Sequence, residues 1–275
     1  MKFSVSVHIV LLVIIPLFIG CSPGRKLATR FVTSQGNINI LLLPPSGIIK
    51  KLVNADPSAV HPDSIVILPI EESTLLSELN DTAFVNYYFR SLRYHLEQFR
   101  VNVFGPWNLD AFFALDTIGF MFSTVQMELL EYSDKFEDYY TSLDENNYIV
   151  QLPRRNLELS TWIEYSELNN PLRPMEVLYS MQSSSDYFEG RFVYYFIGGV
   201  SYSHRSYYLE AHDMYDLAYY AGLTNAQYIF DHLMNLYVAD NLGRPRRTPV
   251  YYQYDVNQYT IRRTGTDRFI RMTQP

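Results

Sequence analysis

The N-terminal apolar segment places the strongest constraint on how this chain can fold. Lys2 is followed by a largely apolar run from Val7 to Ile19, and Gly20-Cys21 closes the run. A basic start, a short apolar stretch and a small residue at its end are the parts of a secretory signal, and the run is shorter than the roughly 20 residues of a spanning helix. Cys21 is the only cysteine. We therefore expect an exported fold that begins at Cys21 and contains no disulfide.

The end of this segment resembles the lipobox of bacterial lipoproteins. The residues that carry the resemblance are Leu17-Phe18-Ile19-Gly20-Cys21. In that family a peptidase cuts before the cysteine, which then carries acyl chains, so the resemblance implies lipid attachment at Cys21. Aspartate after the cysteine retains family members in the inner membrane, whereas Ser22 stands at this position here. The resemblance thus implies an anchor in the outer membrane with the protein facing the periplasm, the alternative being the cell surface.

The chain divides into four segments by composition. Residues 1–20 are predicted to be the signal peptide, and residues 21–36 an acylated polar tether. Residues 37–242 are predicted to form one globular domain, with an optional internal boundary near 131–150. Residues 243–275 are predicted to be a strand-rich tail after a basic, proline-broken stretch. About 250 residues after the signal suffice for one large core or two small ones.

The first third of the domain alternates strands with helices. Apolar runs at 37–45 and 64–69 end in proline, which is typical of buried strands. Asp81 is expected to cap a helix with one apolar stripe at 3.6-residue spacing. The stripe consists of Val85, Tyr88, Phe89, Leu92, Leu96 and Phe99. This order, over residues 37–130, resembles the small α/β domains of curli-secretion-like lipoproteins and of lipoproteins that activate cell-wall synthases, an analogy of architecture alone.

The remainder of the domain predicts an antiparallel sheet covered by helices. Strict alternation from Leu157 to Tyr165 indicates a strand whose odd-numbered side chains are buried. Inward-facing side chains are likewise predicted at Val177, Tyr179 and Met181. Helical spacing from 208 to 240 is interrupted at Gly222, which predicts two helices. The predicted fold class is α+β: an N-terminal mixed α/β unit followed by an antiparallel sheet packed by a C-terminal helix pair.

Charge and aromatic content narrow the choice of partner. The formal net charge is −7, which argues against nucleic acid because phosphate binding needs a basic face. The expected partners are the membrane, through the N-terminal lipid, and a protein of the envelope. The 24 tyrosines and 17 phenylalanines indicate either a tyrosine-rich sheet surface or a sugar-binding site. Trp162, on the polar face of its strand, and Trp107 are the candidates for stacking on a ligand.

No catalytic or metal-binding motif emerges from the sequence. The densest polar cluster comprises Glu210, His212, Asp213 and Asp216, and we interpret it as a solvated helix face. The sequence Gly199-Val-Ser-Tyr-Ser203 begins like a nucleophile elbow but lacks the second glycine. We therefore expect no metal, no cofactor and no serine catalysis.

Carboxylate pairs for glycoside hydrolysis are also poorly placed. Glu158 and Glu164 lie on one face of a strand but about 20 Å apart, beyond the separation that either hydrolytic mechanism uses. Glu128 and Glu131 are predicted to lie on opposite faces of theirs. We therefore expect a protein that is not an enzyme.

Two functional hypotheses follow from these observations. The leading one is a non-enzymatic, lipid-anchored accessory or interaction subunit at the periplasmic face of the outer membrane. The alternative is a surface-exposed lipoprotein that binds or processes glycans. A flat aromatic patch with charges around it would favour the first hypothesis. A pocket with converging polar groups would favour the second.

Overall fold

The computed structural model describes most of the chain after the predicted signal peptide. The described residues are 22–34, 38–58, 60–117, 119–142, 145–168, 176–195, 199–243, 250–266 and 269–272. Cys21 and the segment before it lie outside the described residues.

The described residues form four α-helices and twelve strands. The helices are α1 (Pro23–Thr33), α2 (Asp81–Gln98), α3 (Leu109–Phe113) and α4 (Ala211–Asn241). The first six strands are β1 (Asn39–Leu43), β2 (Ile49–Val53), β3 (Ile67–Leu68), β4 (Asn102–Phe104), β5 (Gly119–Thr141) and β6 (Asn147–Glu167). The others are β7 (Glu176–Ser185), β8 (Tyr187–Tyr195), β9 (Gly199–Tyr207), β10 (Tyr251–Asp255), β11 (Thr260–Thr264) and β12 (Ile270–Met272).

Eight strands form one mixed sheet. The main path is β12-β7-β6-β5-β1-β4, and β2 and β3 are added beside the later part of β5. β1 runs parallel to β4 and β5, whereas β5, β6, β7 and β12 are successively antiparallel. The pairs β8–β9 and β10–β11 are separate hairpins. The predicted α+β class, with parallel pairing early and antiparallel pairing later, is confirmed.

Helix α2 agrees with its predicted apolar stripe. The helix is capped by Asn80, one residue earlier than expected, whose side-chain oxygen accepts from the Ala83 N–H at 2.9 Å. The stripe faces the core, with Val85 half-buried and the other five side chains buried. Periodicity predicts this helix well because its buried face is continuous over about four turns.

The alternation in β6 is confirmed, whereas that in β7 is inverted. Every odd-numbered residue from Leu157 to Tyr165 is buried. On β7, Leu178 and Ser180 are buried, and the predicted inward residue Met181 is 49% exposed. The Ser180 hydroxyl donates to the Asn225 side-chain oxygen in α4. A buried hydrogen-bond partner therefore stabilises Ser180 on the inner face of the sheet. Hydrophobicity alone predicted that its neighbours Tyr179 and Met181 would lie there.

The predicted C-terminal helix pair is one continuous helix, α4. Gly222 lies in its interior at the crossing with α2. A Cβ atom there would stand 2.5 Å from the Tyr88 carbonyl oxygen and 2.8 Å from the Leu92 nitrogen. The glycine therefore permits close contact of two helix backbones and does not end a helix. The partner that completes the pair over the sheet is α2.

Part of the predicted polar tether also belongs to the globular core. Residues 23–33 form α1, in which Ala28 and Phe31 are buried. The Phe31 ring lies 5.5 Å from that of Phe230 and 5.6 Å from that of Tyr237, both in α4. This part of the predicted tether packs on the domain because its few apolar residues share one helix face.

Two further strand predictions differ in detail. The run at 64–69 contributes only the short strand β3, whose Ile67 is exposed. The neighbouring strand β2, with sequence IKKLV, was not predicted because two lysines interrupt its apolar pattern. The tail behaves as expected in being strand-rich, and its β12 pairs with β7 in the main sheet.

Candidate functional site

The β5–β6 hairpin extends well beyond the sheet. β2 pairs with β5 as far as Glu131, and β7 pairs with β6 from Asn156 onward. Beyond these points the two strands continue to pair with each other, from Tyr132 to Thr141 and from Asn147 to Arg155. Nine residues at about 3.3 Å each make this extension about 30 Å long.

The β8–β9 hairpin packs against one face of that extension. The Phe136 and Phe188 rings lie 5.3 Å apart, and those of Tyr140 and Phe192 lie 5.7 Å apart. The Tyr202 hydroxyl donates to Asp138 Oδ2 at 2.8 Å, and burial together with this carboxylate raises the pKa of Tyr202 to about 12. An isolated two-stranded ribbon is marginally stable, so this stacking stabilises both hairpins. We call the extension and β8–β9 together the arm.

The arm exposes an unusual number of large aromatic and aliphatic side chains. Tyr139 is 80% exposed, and its cross-strand neighbour Ile149 is 63% exposed. Tyr194, on β8, is 70% exposed. Glu137 and Lys135, on the same face of β5 as Tyr139, are also exposed. Aromatic surface flanked by charge is characteristic of protein-binding surfaces, because the rings lose little conformational entropy on binding.

Asp186 connects the arm to the core. Its carboxylate is buried and accepts from the Arg155 N–H at 2.9 Å and from the Leu209 N–H at 2.7 Å. Its own N–H donates to the Arg155 carbonyl at 2.9 Å, and the Arg155 guanidinium lies 3.5 Å from the carboxylate. Three chain segments therefore meet at one side chain, where β6 leaves the core, β8 begins and α4 is about to start.

Contacts along α4 show which end of the molecule carries the arm. Arg155 Nη2 donates to the Leu209 carbonyl just before α4, at 3.0 Å. Asn225 Nδ2 donates to Thr161 Oγ1 at 3.0 Å, and the rings of His232 and Tyr165 lie 5.2 Å apart. Helix and strand thus run in the same direction, away from the arm.

The N-terminal end of the described chain lies at the opposite end. The Ser22 hydroxyl is 3.2 Å from the Tyr252 hydroxyl, and the Tyr252 N–H donates to Asn235 Oδ1 at 2.7 Å. Asn235 stands 24 residues along α4 from its start, or about 36 Å. Adding the length of the arm, we estimate that Ser22 and the arm tip are about 60 Å apart.

A cleft of about 1230 Å³ lies on the helical side, away from the arm. It is formed by the ends of α1 and α2, the middle of α4 and the β10–β11 turn. Tyr94, Gln98, Arg100, Gln227, Asn257 and Tyr259 are among its lining residues. Burial lowers the pKa of the neighbouring His95, whose Nε2 lies 3.1 Å from the Tyr219 hydroxyl. Burial therefore favours the neutral form of His95.

The two tryptophans predicted to stack on a ligand are far apart in the fold. Trp162 is half-buried on the outer sheet face, and the Tyr179 ring lies 5.2 Å from it. Trp107 is exposed, with the Arg93 guanidinium 5.1 Å above its ring and Phe89 at its edge. Neither lines the cleft. Their proposed ligand-stacking role remains a prediction.

The His212 cluster forms the start of α4. Glu210 and Asp213 make a capping box, in which the Glu210 N–H donates to Asp213 Oδ2 at 2.7 Å. His212 is 69% exposed and lies 3.5 Å from Glu210 and 3.6 Å from Asp213. No group of three metal-ligating side chains with suitable geometry occurs among the described residues. Helix capping accounts for Glu210 and Asp213.

We expect His212→Ala and Asp216→Ala to change the free energy of unfolding by no more than about 0.5 kcal/mol, because both side chains are exposed. Thermal unfolding with and without chelator measures this. A melting temperature that falls with chelator in the wild type, but not in His212→Ala, would show that the cluster binds a metal.

Glu128 and Glu158 are diagonal neighbours on one face of β5 and β6, whereas Glu131 and Glu164 do not join them. Glu128 is bound by Lys51 at 2.8 Å, whereas Glu131 is buried on the other face and accepts from the Ser73 hydroxyl. Burial, followed by the charges of Asp56 and Glu128, raises the pKa of Glu158. Glu164 stands six residues further along the strand, about 20 Å away.

The sequence was compared with protein-family models and with curated proteins. No protein-family model matches the sequence, and no curated protein matches it significantly. Among the described helices, none has the length and hydropathy needed to cross a membrane.

Proposed function

We propose that this protein is a lipid-anchored, non-enzymatic interaction subunit of the bacterial envelope. In this proposal Cys21 carries the lipid, the lipid inserts into the outer membrane, and the protein faces the periplasm. The observation that carries the proposal is the arm, which exposes Tyr139, Ile149 and Tyr194 at the end of the molecule opposite Ser22.

The geometry suits a subunit that reaches from a membrane towards a partner protein. An anchor next to Ser22 would leave the arm tip about 60 Å from the point of attachment. The arm is stiffened by stacked rings and by the Asp186 junction. A rigid aromatic surface binds at low entropic cost, because little must be ordered when the partner arrives. A protein surface is therefore the partner chemistry that the arm fits best.

Site-specific photocrosslinking in intact cells tests the arm directly. A photoreactive phenylalanine analogue would replace Tyr139 or Tyr194 in the arm, with Ile67 and Tyr87, exposed on other elements, as matched controls. We expect one adduct of defined mass from both arm positions and none from the controls. Equal labelling at all four positions, or none in the arm, would contradict the proposal.

Metabolic labelling with palmitate tests the anchor. We expect Cys21→Ser to abolish labelling, because the thiol is the acylation site that the lipobox implies. We further expect Ser22→Asp to shift the protein towards the inner membrane, and added protease to spare the wild type in intact cells. Labelling that persists in Cys21→Ser would remove the anchor from the proposal. Digestion in intact cells would place the protein on the cell surface.

A further inference from the structure

The cleft is lined by two residues whose backbone conformation ordinarily favours glycine. Arg100 has φ 58° and Tyr259 has φ 51°. Among the described non-glycine residues, the only other positive φ is that of Glu145, in the turn of the arm. Left-handed backbone is costly for residues with a Cβ, and such strain is concentrated at ligand-binding sites.

Neither residue is required by its local turn. Arg100 follows the C-cap Phe99 of α2, and its N–H donates to the Glu97 carbonyl at 2.9 Å. The residue at that position has a left-handed backbone conformation, so glycine or asparagine usually occupies it. Tyr259 ends the turn between β10 and β11, where glycine or asparagine is again preferred. An arginine and a tyrosine at these positions therefore present side chains to the cleft at the expense of stability.

We propose that the cleft binds a saccharide that carries a carboxylate. Tyr94 and Tyr259 are exposed there and offer ring faces on which the C–H face of a sugar ring can pack. The side-chain amides of Gln98 and Asn257 both donate and accept hydrogen bonds, as the hydroxyl groups of a sugar require. The Gln227 nitrogen already donates to Asp231 and to the Tyr254 carbonyl, so Gln227 offers its side-chain oxygen as an acceptor. This inference concerns a surface distinct from the arm and does not depend on the function proposed for the arm.

The charges around the cleft favour a ligand that carries a carboxylate. Glu97 is paired with Arg93 at 2.8 Å, and burial lowers the pKa of His95, which favours its neutral form. The Arg100 guanidinium is in no ion pair with the described residues, although it lies close enough to Tyr254 to lower the pKa of that hydroxyl, which burial raises. A planar guanidinium matches a carboxylate in shape and charge.

A phosphate fits less well than a carboxylate. The end of α2 that borders the cleft is its C-terminus, where the negative end of the helix dipole opposes a phosphate, with a charge of about −1.5 to −2, more than it opposes a singly charged carboxylate. Phosphates are typically bound at the N-termini of helices, where N–H groups point at the ligand. Carbonyl groups at a C-terminus instead accept hydrogen bonds from hydroxyl groups. The cleft therefore combines acceptors for sugar hydroxyls with one cation for a single acidic group.

Binding of the full-length protein, in detergent, to printed saccharides tests the proposal. The array would carry oligouronates and disaccharides of N-acetylmuramic acid, beside neutral oligosaccharides of matched length. A peptide array would be probed in parallel. We expect acidic saccharides to be retained at least tenfold more tightly than neutral ones. No retained saccharide, or retention of peptides alone, would overturn the proposal.

Glycine substitutions separate binding from folding. Because glycine adopts positive φ freely, Arg100→Gly and Tyr259→Gly should not lower the melting temperature. We expect Arg100→Gly to abolish the preference for acidic saccharides, and Tyr259→Gly to weaken binding of all saccharides at least tenfold. Glu145→Gly, at the positive-φ position outside the cleft, should bind as the wild type does. Wild-type binding by both Arg100→Gly and Tyr259→Gly would refute the assignment.

Discussion

Replacing Gly222 with leucine is expected to lower the free energy of unfolding by about 3 kcal/mol or more. The reason is the close contact between α2 and α4, where even one added carbon would meet the Tyr88 carbonyl oxygen at 2.5 Å. The Ser91 hydroxyl also donates to the Tyr219 carbonyl at 2.6 Å across the same crossing. A larger side chain must separate the two backbones, and that separation opens the core beneath them.

Denaturant-induced unfolding of three variants measures this effect. Gly222→Ala should be destabilised less than Gly222→Leu, because one added carbon requires the two helices to separate by less than about 1 Å. Gly47→Ala is the matched control, since nothing lies within 4 Å of its added carbon. We expect that variant to be as stable as the wild type. If Gly222→Leu unfolds at the same denaturant concentration as Gly47→Ala, the described helix crossing is incorrect.

Replacing Asp186 with alanine is expected to cost about 3–5 kcal/mol. The change leaves the Arg155 and Leu209 N–H groups without their acceptor, and each unsatisfied buried group costs about 1–3 kcal/mol. It also removes a buried charge partner from the Arg155 guanidinium. Because Asp186 connects the arm to the core, the β8–β9 hairpin should lose protection first.

Hydrogen exchange, combined with denaturant unfolding, measures both effects. Asp186→Asn should be intermediate, because one oxygen can still accept while the charge is lost. Asp216→Ala replaces an exposed aspartate and provides the control. We expect amide protection in β8 and β9 to fall in Asp186→Ala before that in α2 changes. Uniform loss of protection would mean that the arm and core unfold as one unit.

Two elements were predictable because their signals are local and strong. The stripe on α2 repeats over about four turns, and the alternation in β6 holds over nine residues, so each buried face is evident from spacing alone. In these elements the same face is buried along the whole length, which is the condition under which periodicity is informative.

The failures share a physical cause, which is that a partner elsewhere in the chain decides the outcome. Ser180 is buried because Asn225 accepts its hydrogen bond. Gly222 remains helical because α2 packs against it. α1 joins the core because the Phe31 ring packs against the rings of Phe230 and Tyr237. A single-sequence pattern contains no information on which distant residue will face a given position.

The two candidate sites, the arm and the cleft, also depend on contacts between residues that are distant in the sequence. Residues 133–140 (SDKFEDYY) do not alternate strictly, but aromatic residues favour strands, so Phe136, Tyr139 and Tyr140 are the signal from which a longer strand could have been inferred. The stacking of β8–β9 on it could not. No sequence signal links Arg100 to Tyr259, which are 159 residues apart and meet only because α2 and the β10–β11 turn border one cleft.

The sequence by itself determined the α+β class, the main helix and the central strand, because hydrophobic spacing specifies local structure and its buried face. It also carries the lipobox-like segment on which the proposed anchor depends, since that is a linear motif. Only the tertiary structure decided that α4 is unbroken, that the arm and Ser22 lie at opposite ends, and that two left-handed residues share a cleft. These are long-range relations, and they depend on packing between elements that no local pattern encodes.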